Sequence, residues 1–187
     1  MSYPEEVGTQ RLILRHWREE DRDAFERIWL DPDVWRSLRP GAAFDPGYGA
    51  RRFEHHLGHW AQYGFGLWAV QQRADCEIVG WVGCAHPTFL AELAADVEVG
   101  WTLRRAFWGR GLASEGATVA VSTGFDELDI DRLISLIDPS NEASIAVARR
   151  LGMRYYSDVH HTSAEGRASD LRVYELNRLD TRRSSRP

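Results

Sequence analysis

Two hydrophobic periodicities divide the chain into candidate strands and helices. Alternation of apolar and polar residues over residues 9–17 predicts a strand, and apolar residues at helical spacing over 19–30 predict a helix. By the same criteria we predict a helix at 50–63, strands at 66–72, 77–86 and 96–103, a helix at 111–125, a strand at 132–138, a helix at 141–151, and closing strands at 153–159 and 169–176.

This order predicts an α+β fold with a single mixed, mostly antiparallel central sheet. A meander of antiparallel strands leads into one parallel β-α-β unit, which gives about seven strands and about four helices on both faces of the sheet. We expect residues 1–180 to form one domain, and residues 181–187, which are rich in arginine and serine, to be a frayed tail.

Residues 34–49 contain prolines and glycines that predict a loop or broken helix, and they also contain several large side chains. Trp35, Arg36 and Phe44 in this segment, with His160 in a predicted polar hairpin at 160–167, are candidates for the wall of a substrate groove. The alternative, that the aromatic residues only fasten the loop to the core, stays open.

Histidines at positions 55, 56 and 59 lie on the second predicted helix. His55 and His59 have the i, i+4 spacing of metal ligands, but the glutamate of H-E-x-x-H is missing and no third ligand is evident. We therefore favour a solvated helix face and expect no metal.

Composition excludes several functional classes. A net charge of −5 leaves no broad basic face for nucleic acid, and the chain has no apolar run of the roughly 20 residues that a membrane span needs. The N-terminal segment lacks a signal-peptide pattern, so we expect a cytoplasmic protein. Cys76 and Cys84 are the two cysteines, and we expect both to be reduced thiols. All 23 basic residues are arginine, which rules out a P-loop of the G-x-x-x-x-G-K type.

A strand, an arginine- and glycine-rich turn at residues 104–113 and a long helix follow one another in the centre of the chain. Glycines allow close backbone approach, and the free amides and dipole of a helix N-terminus favour an anion, so the turn predicts a site for a di- or polyphosphate. One candidate is a dinucleotide fold, because residues 109–114 miss G-x-G-x-x-G at the last position only. The antiparallel meander that precedes the turn argues against it.

Motifs along nearly the whole chain, from residue 9 to 176, support a second candidate. They are Gln10-Arg11-Leu12, Leu14-Arg15, Gly66-Leu67-Trp68-Ala69-Val70, Ile78-Val79-Gly80, Val97-Glu98-Val99-Gly100-Trp101, Trp108-Gly109-Arg110-Gly111-Leu112-Ala113-Ser114-Glu115, and Asn141 and Ser144 before Leu151-Gly152-Met153. In their joint order and spacing the chain resembles the GCN5-related N-acetyltransferase (GNAT) superfamily. It is most similar to the branch that includes the ribosomal-protein N-terminal alanine and serine acetyltransferases.

The resemblance implies that the phosphate ligand is acetyl-CoA. The motif [QR]-x-x-G-x-[GA] is matched by Gly111 and Ala113, while its first position is Trp108. The implied fold has a bulged strand at 96–103 that splays from the strand at 132–138, with the pantetheine arm in the gap. The cofactor-binding residues implied in this way are Trp101, Leu103, Arg104, Arg105, Arg110, Gly111, Leu112, Ala113, Ser114 and Asn141.

The implied reaction is direct attack of a primary amine on the thioester in a ternary complex. Glu98 is the candidate base and Ser144 the candidate acid, since the family's usual tyrosine is replaced by Ala148. Tyr155 and Tyr156 are less favoured candidates for this acid. Cys84 is expected to be a core thiol and not a nucleophile.

Several alternatives remain open. The acceptor is a small-molecule amine or a protein N-terminus, and a homodimer is among the expected assemblies. The donor could instead be succinyl-CoA, with Arg36 or Arg39 meeting its carboxylate. The remaining alternatives are a non-catalytic acyl-CoA sensor and, more remotely, a dinucleotide-binding domain.

Overall fold

The computed structural model describes residues 3–162 and 168–180, and these form one eight-stranded sheet with helices on both faces. The sheet order is β1-β2-β3-β4-β5-β6-β8-β7. The strands are β1 (Glu6–Gly8), β2 (Leu12–Arg15), β3 (Leu67–Gln72), β4 (Ile78–Ala85), β5 (Glu98–Leu103), β6 (Arg132–Ile137), β7 (Arg154–Thr162) and β8 (Ala168–Asn177). The α-helices are α1 (Arg22–Leu30), α2 (Pro32–Leu38), α3 (Tyr48–Tyr63), α4 (Leu112–Glu127) and α5 (Glu142–Arg150).

The predicted fold class is confirmed, and the described residues contain one strand and one α-helix more than the number predicted. Every pairing in the sheet is antiparallel except that of β5 with β6, which is the predicted parallel unit. The described residues contain eight strands and five α-helices, where about seven and about four were expected. The additional strand is β1, and the additional helix is α2. Most of the predicted hairpin at 160–167 lies outside the described residues, and β7 continues through its first three positions.

The segment after α1, predicted to be a loop or broken helix, begins with a second helix. The Asp31 side chain accepts a hydrogen bond from Asp33 N at 3.0 Å, and Pro32 occupies the first helical turn. An aspartate cap followed by proline is a strong helix start, because it satisfies one free amide and proline needs no donor there. The residues that end α1 therefore also begin α2.

Two hydrophobic layers cover the two faces of the sheet. On one face α4 and α5 pack on the sheet through a core that includes Leu112, Phe125 and Ile145. On the other face the N-terminal helices pack through a mainly aromatic core that includes Phe25 and Phe53. No described helix has the length and apolar character needed to cross a membrane. The sheet therefore separates a small-residue helix, α4, from an aromatic layer.

β5 and β6 part almost as soon as they meet, which leaves a gap in the middle of the sheet. Their parallel ladder has the single register pair Glu98 and Ile134, and Ile134 N donates to Val97 O at 3.0 Å. Because successive residues of a strand direct their backbone groups to opposite edges, every second residue after Val97 faces the gap. Those residues are Val99, Trp101 and Leu103.

The other edge of β5 is fully paired with β4, so the prediction of a bulge in this strand is wrong. The β4–β5 register is continuous over all six pairs, whereas a register shift occurs where β3 pairs with β4, beside Val79. Gly80 follows this irregularity, and a Cβ there would lie 2.0 Å from Thr102 O. The backbones of β4 and β5 thus approach so closely that only glycine fits.

Candidate active site

A cleft of 760 Å³ opens beside the gap, on the sheet face that α1 to α3 cover. One face of α3 forms a wall, since Tyr48, Arg52, His55 and His59 recur at helical spacing along it. Glu98 and Trp101 of β5 lie opposite. The cleft is also lined by Ser37, Leu38, Arg39 and Pro40 at the end of α2, by Ser135 to Asp138 of β6, and by Asn141 and Ser144 at the start of α5.

Glu98 is a carboxylate in this cleft at the point where β5 and β6 separate. Its Oε1 accepts a hydrogen bond of 3.3 Å from Leu136 N, on the diverging part of β6. Burial raises the pKa of Glu98 from 4.5 to about 7, against the opposing effects of the Leu136 amide and the positive charge of Arg52. A carboxylate with a pKa near neutrality can accept a proton at physiological pH and release it again.

Arg52 is the positive group that faces Glu98 from α3. Its side chain is partly buried, its Nε is inaccessible, and it makes no hydrogen bond or ion pair with any residue that the structure describes. Burial lowers the pKa of its guanidinium, which nonetheless stays protonated as guanidinium groups in proteins do. Sequence reasoning missed Arg52, although its i, i+3 and i, i+4 relation to His55 and Tyr48 indicated a shared face.

Asn141 and Ser144 sit at the N-terminus of α5, at the far side of the gap from β5. Asn141 Oδ1 accepts from Ser144 N at 3.0 Å, so Asn141 caps α5. Asn141 Nδ2 donates to Ser37 O at 3.3 Å, which connects α5 to the end of α2. Both residues line the cleft with Glu98, so the structure places the candidate base and the candidate acid in one cavity.

The glycine turn lies at the N-terminus of α4, the helix that packs on the opposite face of the sheet from the cleft. Gly111 has a φ of +75° and precedes α4, whose first helical hydrogen bond runs from Glu115 N to Gly111 O at 3.0 Å. The amides of Leu112, Ala113 and Ser114 come before this bond, so they are oriented outward along the helix axis. These are the amides predicted to hold an anion.

The arginines of this turn have different interaction partners. Arg104 forms an ion pair with Glu77, and Arg105 lies 3.7 Å from Asp33 and over the ring of Trp108. Arg110 has its guanidinium carbon 5.3 Å from the centre of the Phe107 ring.

A residue that the site prediction did not include, Arg11, also reaches the turn. Its Nη1 donates to Arg110 O at 2.9 Å, and its Nε donates to Glu115 Oε2 at 2.6 Å. Glu115 Oε1 also accepts from Arg11 N and from the Thr9 hydroxyl. Glu115 therefore fixes β2 and its flanking residues to the first turn of α4, which explains why an acidic residue follows the glycine turn.

Trp101 and Leu103 present backbone groups to the gap, as the alternation along β5 requires. Leu103 O already accepts a hydrogen bond of 2.6 Å from the Trp108 indole, while Trp101 borders the cleft and packs against the core on the α4 side. Trp108, at the first position of the glycine motif, thus has a structural partner of its own. Its indole fixes the end of β5 to the turn.

Two of the three histidines of α3 correct the expectation of a solvated face, whereas His55 is exposed. His56 is 4% exposed among aromatic rings, and His59 is 6% exposed. His59 Nδ1 contacts Phe65 O at 2.9 Å and its Nε2 accepts from His86 N at 2.9 Å, so the ring is neutral with its proton on Nδ1. Burial lowers the pKa of both side chains. Among the described residues no group of three or more His, Cys, Asp or Glu side chains could hold a metal ion.

The four residues predicted for the acceptor groove do not line this cleft. Trp35 is 5% exposed and donates to Ala42 O, and the 54% exposed Phe44 packs edge-on against it. Arg36 pairs with Asp33 on the surface. His160 of β7 is exposed and pairs with Asp170 of β8. Their assignment to an acceptor remains a prediction.

Two other candidate groups are placed clearly. Cys84 is fully buried, and burial raises the pKa of its thiol to about 12, so it is a core thiol as expected. Cys76 is exposed and also free. Tyr155 and Tyr156 are more than half exposed on β7 and do not line the cleft, which leaves Ser144 as the candidate acid nearest to Glu98.

Comparison with known proteins agrees with this geometry. The family model for an acetyltransferase (GNAT) domain matches residues 11–154. The uncharacterized N-acetyltransferase YnaD of Bacillus subtilis is 35% identical over 150 residues, which are 79% of this chain and 82% of that protein. An acetyltransferase from Agrobacterium tumefaciens superposes with a TM-score of 0.77 at 27% identity, covering 95% of this chain and 96% of that one.

A third neighbour has coenzyme A bound. It is RimL, a ribosomal L7/L12 alpha-N-protein acetyltransferase in complex with coenzyme A, with a TM-score of 0.69 at 22% identity, covering 92% of this chain and 98% of that one. At this identity the likeness concerns the fold alone. Taken with the family match over most of the sequence, the splayed strands and the glycine turn establish that the chain belongs to the GNAT family and is an acyltransferase of the N-acetyltransferase type.

Proposed function

We propose that the protein transfers an acetyl group from acetyl-CoA to a primary amine by direct attack, with Glu98 as the proton acceptor. The observation that carries this proposal is a carboxylate with a pKa near 7, located where β5 and β6 part. A donor lying in the gap would bring its thioester to this point, and an amine in the cleft would approach from the α3 side.

The residues around the gap suit the parts of the donor. The amides before the first bond of α4 would hold the pyrophosphate, with Arg11 and Arg110 beside them. The backbone groups of Val99 and Trp101 that face the gap would hydrogen-bond the pantetheine amides as a neighbouring strand does. Asn141 would face the same arm, and Gly111 allows the close approach of the phosphates.

The chemistry follows from the groups in the cleft. Attack needs a neutral amine, and ionised Glu98 removes the surplus proton, directly or through a water molecule. The amine nitrogen then forms a bond to the thioester carbonyl carbon, whose developing oxyanion is stabilised by a β5 amide that faces the gap. The bonded nitrogen passes its remaining extra proton to solvent. When the carbon–sulfur bond breaks, the thiolate leaves and takes up a proton from solvent, and Ser144, which lines the same cleft, would donate a hydrogen bond to it.

The proposal covers the acceptor, the cellular location and the assembly in broader terms. A small amine and a protein N-terminus are both compatible with the cleft, and RimL is named for the second kind of substrate. The non-catalytic sensor is favoured only by Ala148, which is fully buried where the family's tyrosine would stand. We retain cytoplasmic location, a single domain and a homodimer as predictions.

Steady-state release of coenzyme A from acetyl-CoA, measured with a panel of amines, tests the proposal. We expect turnover that Glu98→Gln reduces by about 10²- to 10⁴-fold, the usual contribution of general acid–base catalysis. Glu92→Gln, which alters an exposed carboxylate, is the matched control. Acetyl-CoA binding without turnover on any amine would favour the sensor, and absence of acetyl-CoA binding would refute the proposal.

A further inference from the structure

The cleft contains a cation that faces the carboxylate of Glu98 but has no hydrogen-bond or ion-pair partner among the described residues. Arg52 lies on the cleft face of α3 with a buried Nε, and no described residue gives it a hydrogen bond or an ion pair. A buried charge without a partner is costly, so such groups usually pair with a carboxylate or a ligand anion. Arg52 is therefore a candidate ligand group and not a structural one.

Two neighbouring arginines, unlike Arg52, have interaction partners. Arg51, the adjacent residue, is exposed and forms an ion pair with Asp45. Arg39 packs its guanidinium over the ring of Tyr48, with 4.2 Å between the guanidinium carbon and the ring centre. Arg52 has neither kind of support, although it faces the same cleft.

Glu98 faces Arg52 when it is ionised but does not pair with it. Its carboxylate oxygen accepts the Leu136 amide and makes no hydrogen bond to Arg52. Once Glu98 has taken a proton it is neutral, and Arg52 then adds positive charge to the cleft. The cleft is thus electrostatically complementary to a reactant with a negative group.

We propose that Arg52 binds a carboxylate carried by one of the two reactants and thereby positions the reacting groups beside Glu98. This rests on the function proposed above and narrows its substrate class. The carboxylate belongs either to the acceptor, as in a free amino acid, or to the acyl chain of the donor, as in succinyl-CoA. Polyamines and other purely cationic acceptors are disfavoured.

An acceptor carboxylate bound to Arg52 would keep the amine near the base without placing a second cation there. The arrangement therefore separates recognition, by Arg52, from proton removal, by Glu98.

The two sources of the carboxylate are distinguished by two arms of one kinetic experiment. In the first arm, acetyl-CoA is combined with free α-amino acids and with their carboxamides, which differ only in the anionic group. In the second arm, succinyl-CoA is compared with butyryl-CoA, using the carboxamides as acceptors. Each arm is run with the unaltered protein and with Arg52→Met, Arg52→Lys and, as a control on an exposed charge of α1, Arg27→Met.

We expect the carboxylate-bearing reactant to be preferred in one arm by at least about 30-fold in kcat/KM, as for a desolvated charge pair. The preference should disappear in Arg52→Met, mainly through KM, recover in part in Arg52→Lys, and persist in Arg27→Met. Thermal unfolding with coenzyme A plus N-acetyl amino acids or their amides gives a binding readout that needs no turnover. Here we expect the carboxylates alone to stabilise the protein.

Two results would overturn the inference and leave the proposed function intact. One is equal use of carboxylates and neutral counterparts in both arms, and the other is a preference that survives Arg52→Met. A protein that turns over no substrate and gains no stability from any of the carboxylates also contradicts it. Failure of the proposed function is recognised separately, because the protein would then not bind acetyl-CoA at all.

Discussion

Replacing Glu98 by glutamine should make the enzyme more stable at alkaline pH while removing its activity. The substitution keeps the size of the side chain and an oxygen for the Leu136 amide, but it removes the ionisable group. The folded pKa is raised above that of the unfolded chain, so this carboxyl supports folding below pH 4.5, and the support is lost as the pH rises through about 7.

The size of the effect follows from the same two pKa values. A rise from 4.5 to about 7 means that ionised Glu98 destabilises the fold by about 3 kcal/mol above pH 7. Urea unfolding at pH 4 and pH 8.5 measures this directly. We expect Glu98→Gln to match the unaltered protein at the lower pH and to exceed it by up to this amount at the higher pH, with Glu92→Gln as the control.

The kinetic half of the prediction uses an acceptor whose amine has a pKa above 9. A plot of log kcat/KM against pH then loses one unit of slope near pH 7 in the unaltered enzyme, because Glu98 ionises there. The residual activity of Glu98→Gln should rise without that break. Equal unfolding free energies at both pH values, or a break that persists in the variant, would refute the assignment of this pKa to Glu98.

Three further substitutions test parts of the fold that position the site. Gly80→Ala should destabilise the protein severely, because its Cβ would lie 2.0 Å from Thr102 O, whereas Gly58→Ala on α3 meets nothing within 4 Å and should be tolerated or stabilising; the thermal midpoints compare them. Gly111→Val should raise the KM for acetyl-CoA with a smaller change in kcat, since φ is +75° at the phosphate turn, and unchanged KM would contradict that role. Asp21→Asn should lower the unfolding free energy by about 3 to 5 kcal/mol in urea, because it leaves a buried arginine without its bidentate partner.

The sequence predicted the strands and helices that have strong periodicity and missed those that depend on context. The three residues of β1 are too few to show alternation, and their strand exists because β2 offers an edge. The predicted helix at 19–30 ends where Asp31 and Pro32 follow, and the same two residues cap and begin α2. A local signal of this kind marks a helix boundary without telling on which side the helix lies.

The residues of the candidate site also fall into two groups, those that the sequence predicted and those that it missed. The glycine turn, Glu98, Asn141 and Ser144 carry motifs, and their common location follows once the central β-α-β unit is recognised. Arg52 and the buried His59 carry no motif, and their roles depend on which face of α3 meets the cleft. Spacing gives that face only after the partner surface is known, which requires the tertiary structure.

The open stretch of β5 has a consequence for how the protein behaves without its substrate. A strand edge with free amides and carbonyls exchanges its hydrogens with solvent and can pair with another chain. The Trp101 amide faces the gap beyond the single register pair of β5 and β6, so it should exchange quickly in the empty protein and slowly once a donor covers it. The concentration of coenzyme A thioesters in the surroundings would then govern the enzyme's resistance to aggregation as well as its rate.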